Sequence, residues 1–209
     1  MAFLGIKAVT HCDPPEQSEL QAGDIVFQLT STRRAPLIEV TTLSQKTHCG
    51  IVVEKKGKLY VLEAISTVQL TPLDKWINRS KDGKWWAKRY QDIPFNAKYK
   101  EYVGASYDNA FKFGNKQWYC SELVYDIYKR QLGVELCKPK LMSDYHVTGL
   151  KKVKAEMQRR GIQPGQLMVA PVDIYNSTLL HDIRLQQETI NSNQFQAGTS
   201  ASIKSTLES

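Results

Sequence analysis

Three short stretches of this chain carry the residue types able to do covalent chemistry: a cysteine in QWYCSELVYDIYKR (residues 117–130), a histidine in THCGIVV (residues 47–53) and a glutamate in LYVLEA (residues 59–64). A thiol, an imidazole and a carboxylate are the parts of a cysteine nucleophile, with the imidazole as base and the carboxylate fixing its ring. Cys120, Leu123, Val124 and Ile127 recur at spacings of three and four, so the thiol shares the apolar face of a helix and points toward the core. An inert, packed cysteine would be placed the same way. Position favours chemistry: in a first helical turn, free backbone N–H groups and the positive end of the dipole stabilise a thiolate and can lower its pKa from about 8.5. The same N–H groups can receive a developing oxyanion.

The base must be held rigidly, and of the four histidines only His48 lies within an apolar strand-like run. His11 falls in the lead-in, His146 in a connection and His181 near the tail, where surface or packing roles are expected. Residues 54–58 form a polar, glycine-containing turn, so the runs on either side read as a hairpin. If Glu54 pairs with Gly57 around Lys55 and Lys56, Glu63 falls directly opposite His48, with Cβ atoms about 4.5–5.5 Å apart. The carboxylate would then accept the imidazole N–H and stabilise the imidazolium. A slip of one residue would send Glu63 to the other face. Cys49, adjacent to His48, should point away from it into packing.

Other chemistries fit less well. His48, Cys120 and Glu63 are possible zinc ligands, but no paired-ligand motif accompanies them, so no metal site is expected. Neither G-x-G-x-x-G nor a P-loop occurs, and no cofactor is expected. Trp85, Trp86, Tyr90, Phe111, Phe113, Trp118 and Tyr119 suit a core or an apolar groove better than a base-stacking surface, so no nucleic-acid partner is expected. The net charge of +7 is spread among acidic residues and reads as a solvated surface, with peripheral contact to an anionic membrane surface as the other reading. Four irregularly spaced cysteines without a C-x-x-C pair make reduced thiols the default.

The elements that must position these groups divide the chain into two halves. Strands are expected at residues 25–29, 47–53, 59–64, 67–70 and 85–90, with a short helix or irregular connection over 35–45 and a helix opened by Pro72. Helices are expected over residues 96–106, 119–132 and 149–160, the second stopped by Gly133, and an extended segment over 167–172. With 209 residues, 42% of them hydrophobic, one domain is expected: a lead-in over 1–22, a folded unit over 23–185 and a mobile tail over 186–209. The pattern predicts an α+β fold, a small antiparallel sheet with helices packed beside it. No run long enough to span a membrane and no secretory signal is seen, which makes the cytoplasm the default location.

The stretches GDIVFQ, SQKTHCGIVV, YVLEA, LTPLDKW, YDNAF and YCSELVYDIYK, in this order, resemble the YiiX/YebB-like group of NlpC-type, papain-like cysteine hydrolases with circularly permuted topology. The resemblance spans residues 23–171, and its anchors are H-x-G-I in a strand and Y-C-S-E-L-V at a helix start. It implies a barrel-like antiparallel sheet packed on the cysteine helix, Cys120 as nucleophile, His48 as general base and Glu63 as the group orienting it. It further implies that Tyr107 and Tyr119 line the substrate cleft. Cys49 departs from the plain apolar residue that such relatives often carry. The implied activity is that of an amidase or peptidase acting through an acyl-enzyme. Its substrates would be cell-wall-type peptides or lipid amides and esters, by hydrolysis or acyl transfer. A non-catalytic module binding a lipid or peptide is the contrasting possibility.

Overall fold

A computed structural model describes residues 17–147 and 151–183. Its centre is an antiparallel sheet of six strands in the order β4-β3-β2-β1-β5-β8. These are β1 (Ile25–Gln28), β2 (His48–Lys55), β3 (Lys58–Ala64), β4 (Val68–Pro72), β5 (Trp85–Arg89) and β8 (His181–Asp182), while β6 (Lys140–Leu141) and β7 (Leu167–Met168) form a separate short ladder. The helices are α1 (Ala35–Thr42), α2 (Leu73–Asn78), α3 (Cys120–Leu132), α4 (Lys151–Arg160) and α5 (Pro171–Tyr175). The architecture is α+β, and β4 and β8 leave the sheet open rather than closed into a barrel. Among the described residues no helix is long and apolar enough to cross a membrane.

The sheet is buried on both faces, which is why its central strands read as continuous apolar runs rather than alternating ones. Ile25, Phe27, Cys49, Ile51 and Leu62 pack with Leu123, Val124 and Ile127 of α3. On the opposite face Val26, Val52 and Val61 pack with Leu73 and Trp76 of α2. Helix α3 opens at Cys120 from an extended Tyr119 and stops at Gly133, whose φ of 70° lets its N–H reach the carbonyls of Lys129 and Tyr128.

The β2–β3 hairpin folds in a register two residues away from the expected one. Lys55 pairs with Lys58, and Lys56 and Gly57 are the two turn residues, with φ of 52° and 71°. Positive φ at both central positions is the requirement of a type I′ turn, whose twist matches that of the strands, and this Lys-Gly pair meets it. Ile51 therefore faces Leu62, and continuing the ladder brings Glu63 opposite Gly50 instead of His48. A shift of two preserves facing, so His48 and Glu63 still share a side of the sheet as a diagonal pair.

Other expectations also change. Residues 96–106 form turns, not a helix, because β4 takes their backbone groups: Val68 N–H donates to the Ala105 carbonyl at 2.8 Å and Gly104 N–H to the Val68 carbonyl at 2.9 Å. The expected extended segment 167–172 is only β7 in its first two residues; Pro171 then opens α5, where its fixed φ suits a first helical turn. Leu20 and Ala22, within the expected lead-in, are buried against the sheet. Residues 1–16, with His11, and the expected tail 186–209 lie outside the described residues.

Candidate active site

Glu63 is fully buried, yet ringed by donors. His48 Nε2 lies 2.6 Å from its Oε2, Trp76 Nε1 donates to the same oxygen at 3.0 Å and Arg79 Nη2 at 2.6 Å, while Thr71 Oγ1 donates to Oε1 at 2.5 Å. Burial opposes ionisation, but the bonds and charges of His48 and Arg79 outweigh it and bring the Glu63 pKa down to about 2. The diagonal approach of His48 to Glu63 passes over Gly50. A Cβ at that position would sit 2.4 Å from Val61 Cγ1 and 2.8 Å from the Leu62 carbonyl oxygen, so the H-x-G spacing has a steric cause.

With Nε2 engaged by Glu63, the other ring nitrogen of His48 is left for Cys120, which lines the same cleft. Burial works against an imidazolium here, but the Cys120 sulfur and the Glu63 carboxylate favour it more strongly and raise His48 to about 9. The Cys120 thiol is held well below its ordinary range, first by a hydrogen bond from Cys49 and then, against the cost of burial, by His48. Both shifts act in the direction of a thiolate beside an imidazolium. The first N–H groups of α3, which have no partner inside the helix, lie beside the sulfur.

Cys49 was expected to face away from His48 into packing. It does face away, but the other side of the sheet is the one on which Cys120 rides, so the buried Cys49 packs in the same cluster as Cys120 and helps to lower its pKa. Burial and the neighbouring Cys120 sulfur push the Cys49 thiol up.

Tyr107 and Tyr119 are both buried beside Cys120. Tyr107 lines the cleft under Arg34, whose guanidinium carbon sits 4.2 Å from the ring centre. Tyr119 stacks edge-on against Phe111 with centroids 5.2 Å apart, and its hydroxyl accepts from Val169 N–H at 3.1 Å. The sequence reading missed Thr71, Trp76, Arg79 and Arg34. Thr71 and Trp76 lie within LTPLDKW, but only the β4–α2 corner shows that this stretch wraps Glu63. Histidines 146 and 181 stand elsewhere: His146 N–H donates to the Thr41 carbonyl, and His181 Nε2 lies 3.4 Å from Asp92 Oδ1 on the edge strand.

Comparison with known proteins gives three findings. A family model described as permuted papain-like amidase enzyme, YaeF/YiiX, C92 family, matches residues 19–198. An Escherichia coli (strain K12) protein named "Uncharacterized protein YiiX" is 28% identical over 170 residues, which cover 77% of this chain and 84% of that protein. A crystal structure described as that of metalloprotein yiiX from Escherichia coli O157:H7, DUF1105, superposes with a TM-score of 0.71 at 27% identity, covering 78% of this chain and 96% of that one. The donor set here does not match a metal centre. Among the described residues no three His, Cys, Asp or Glu side chains gather around a common point, and both oxygens of Glu63 are taken by protein donors.

Proposed function

The chain belongs to the permuted papain-like amidase family, YaeF/YiiX, C92, and from that premise we propose that it is a thiol-dependent hydrolase in which Cys120 attacks an amide or ester carbonyl, His48 transfers the proton and Glu63 holds His48. The observation that carries this reading is that Cys120 and His48 line one cleft, with the His48 ring held at 2.6 Å by a carboxylate that cannot turn away, fixed as it is by Thr71, Trp76 and Arg79.

The thiolate forms a C–S bond to the carbonyl carbon, and the negative charge passes to the oxygen, within reach of the first N–H groups of α3. As the C–N or C–O bond breaks, the His48 imidazolium gives its proton to the leaving atom. The acyl group remains on Cys120 as a thioester. A water molecule, deprotonated by the now neutral His48, attacks the thioester, releases the acid and restores the thiolate–imidazolium pair. Glu63 keeps the imidazole in one tautomer throughout. A non-catalytic binding module is the less favoured reading, because binding alone requires neither a depressed thiol nor a buried imidazolium.

The test is intact-mass analysis after exposure to a panel of acyl-amide and acyl-ester probes. The expected result is one acyl addition mapping to Cys120 and its loss in Cys120→Ala. Turnover that survives in Cys120→Ala would overturn the proposal.

A further inference from the structure

Basic residues that are dispersed along the sequence gather in space beside α4. Two depressions lie side by side there, with Glu156 lining both. One is an open groove of about 570 Å³ between α1 and α4, walled by Pro36, Leu37, Val40 and Val153 and flanked by Lys151 and Lys152. The other is lined by Arg33, Arg34, Arg159 and Arg160. Together they set six cationic side chains against one carboxylate, an excess of five positive charges, where the whole chain of 209 residues carries +7. Glu156 is already bonded to Arg159 and Arg160 at 2.5 and 2.7 Å, and Glu39, the acidic residue of α1, lines neither depression. Helix stability does not explain the lysines. Helix α4 opens with Lys151, Lys152 and Lys154 and has no acidic residue in its first turn, an order that the helix dipole disfavours and that an external anion would relieve.

Apolar side chains stand among these cations. Pro36, Val40 and Leu43 recur along α1 and its C-cap at spacings of four and three, which puts them on one side of the helix. Val40 is 41% exposed and Leu43 74%. A nucleic acid would engage the arginines and leave this stripe in water. A folded protein partner needs a broad complementary patch, about 800 Å² a side, whereas the stripe is one residue wide. An anionic bilayer meets both features without shape complementarity: its headgroups take the cations, and its interfacial region takes a few apolar tips.

We propose that the α1–α4 face is a docking surface for an anionic lipid bilayer, with Lys151, Lys152 and the four arginines toward the headgroups and Val40 and Leu43 in the interfacial region. Helix α1 also borders the cleft of the candidate active site, where Arg34 and Ile38 stand with His48 and Cys120. Arg34 lines both that cleft and the basic depression, so docking sets the mouth of the cleft at the bilayer surface. The assignment of the surface does not depend on the chemistry at Cys120.

The experiment is flotation of the full-length protein with large unilamellar vesicles of phosphatidylcholine, alone or with about 30% phosphatidylserine, at about 0.1 M salt and again at about 0.5 M. The expected result is at least tenfold stronger partition to the anionic vesicles, largely lost at the higher salt, since each basic residue near such a surface is worth roughly fivefold. Lys151→Glu combined with Lys152→Glu should weaken the partition at least tenfold, and Val40→Asp combined with Leu43→Asp at least threefold. Lys55→Glu combined with Lys58→Glu, the same charge change where these two residues pair at the β2–β3 turn, should weaken it by less than threefold. All six positions are exposed, so the variants are expected to fold, and thermal melts check that they do. Equal partition to neutral and anionic vesicles, or equal loss from the two lysine pairs, overturns the proposal. So does binding of polyglutamate or of a single-stranded oligonucleotide in place of the anionic vesicles, which would give the face to another anionic partner.

Discussion

Glu63 and Glu122 are two buried glutamates near the same sulfur, and they resolve their burial in opposite ways. Glu63, at 0% exposure, faces four donors and is an anion with a pKa of about 2. Glu122, at 1% exposure in the first turn of α3, accepts from Gly114 N–H with one oxygen, while the other has no hydrogen-bond partner. Burial, helped by Asp108, raises it to about 8, so it is largely a neutral acid at pH 7. Burial alone therefore does not decide charge; the number and sign of the donors does. The site benefits from both outcomes. In the proposed mechanism the ionised Glu63 holds an imidazolium next to Cys120, and the neutral Glu122 leaves the positive end of α3 uncancelled beside the thiolate.

The sharpest way to break this contrast is Glu63→Ala, which leaves Arg79, His48, Trp76 and Thr71 around an empty space. Removing one partner from a buried charged network costs about 3–5 kcal/mol, and the loss should appear in urea denaturation. Turnover should fall by about a hundredfold or more, since general-base catalysis supplies roughly that much. The contribution of Glu63 also has a pH signature. Its folded pKa lies below the ordinary 4.5, so the stability it gives is present above pH 4.5 and is lost as pH falls toward about 2.

Gly50→Ala tests whether the diagonal approach needs an empty position. A methyl group there meets the Leu62 carbonyl oxygen and Val61. Overpacking of this kind costs about 1–3 kcal/mol, to be read from thermal melts, and activity should fall with the displaced His48–Glu63 contact. A milder change, Cys49→Ala, removes the thiol that helps to lower the Cys120 pKa. The acidic limb of the pH–rate profile should then move to higher pH while the basic limb, set by His48, stays in place.

Smallest at the active site is Glu122→Gln, which replaces a neutral acid with a neutral amide of the same shape. Turnover at pH 7 should change by less than about twofold, since the variant removes no charge that the wild type holds there. Stability should diverge in the direction opposite to that for Glu63. The folded pKa of Glu122 lies above the ordinary 4.5, so the folded protein keeps a proton that the unfolded chain has lost. The contribution of Glu122 to wild-type stability therefore declines between pH 4.5 and 8, and the glutamine variant should gain relative to the wild type across that interval, as urea melts of both proteins at the two ends would show.

The elements that depend on local pattern were legible in the sequence: the apolar face of α3, its stop at Gly133, the β2–β3 hairpin and the facing of His48 toward Glu63. The hairpin register was not, because it turned on whether Lys56 would adopt a positive φ, a choice that composition leaves open. Parity rescued the inference, since an error of two residues keeps side chains on their face. What failed was non-local. The turn over 96–106 is set by β4, the donors around Glu63 by the β4–α2 corner, and the meeting of Cys49 with Cys120 by how a helix lies across a sheet. Each needs the third dimension, which neither spacing nor propensity encodes.

The most direct measurement for the central claim is the rate of Cys120 alkylation by iodoacetamide from pH 4 to 10, with the modified residue mapped by mass spectrometry. A thiolate–imidazolium pair predicts reaction that persists well below the ordinary thiol range, changes again near pH 9 as His48 loses its proton, and moves to higher pH in His48→Ala, with the part held down by Cys49 remaining. A wild-type profile that rises only around pH 8.5–9, like that of a free thiol, and is unchanged in His48→Ala would contradict it.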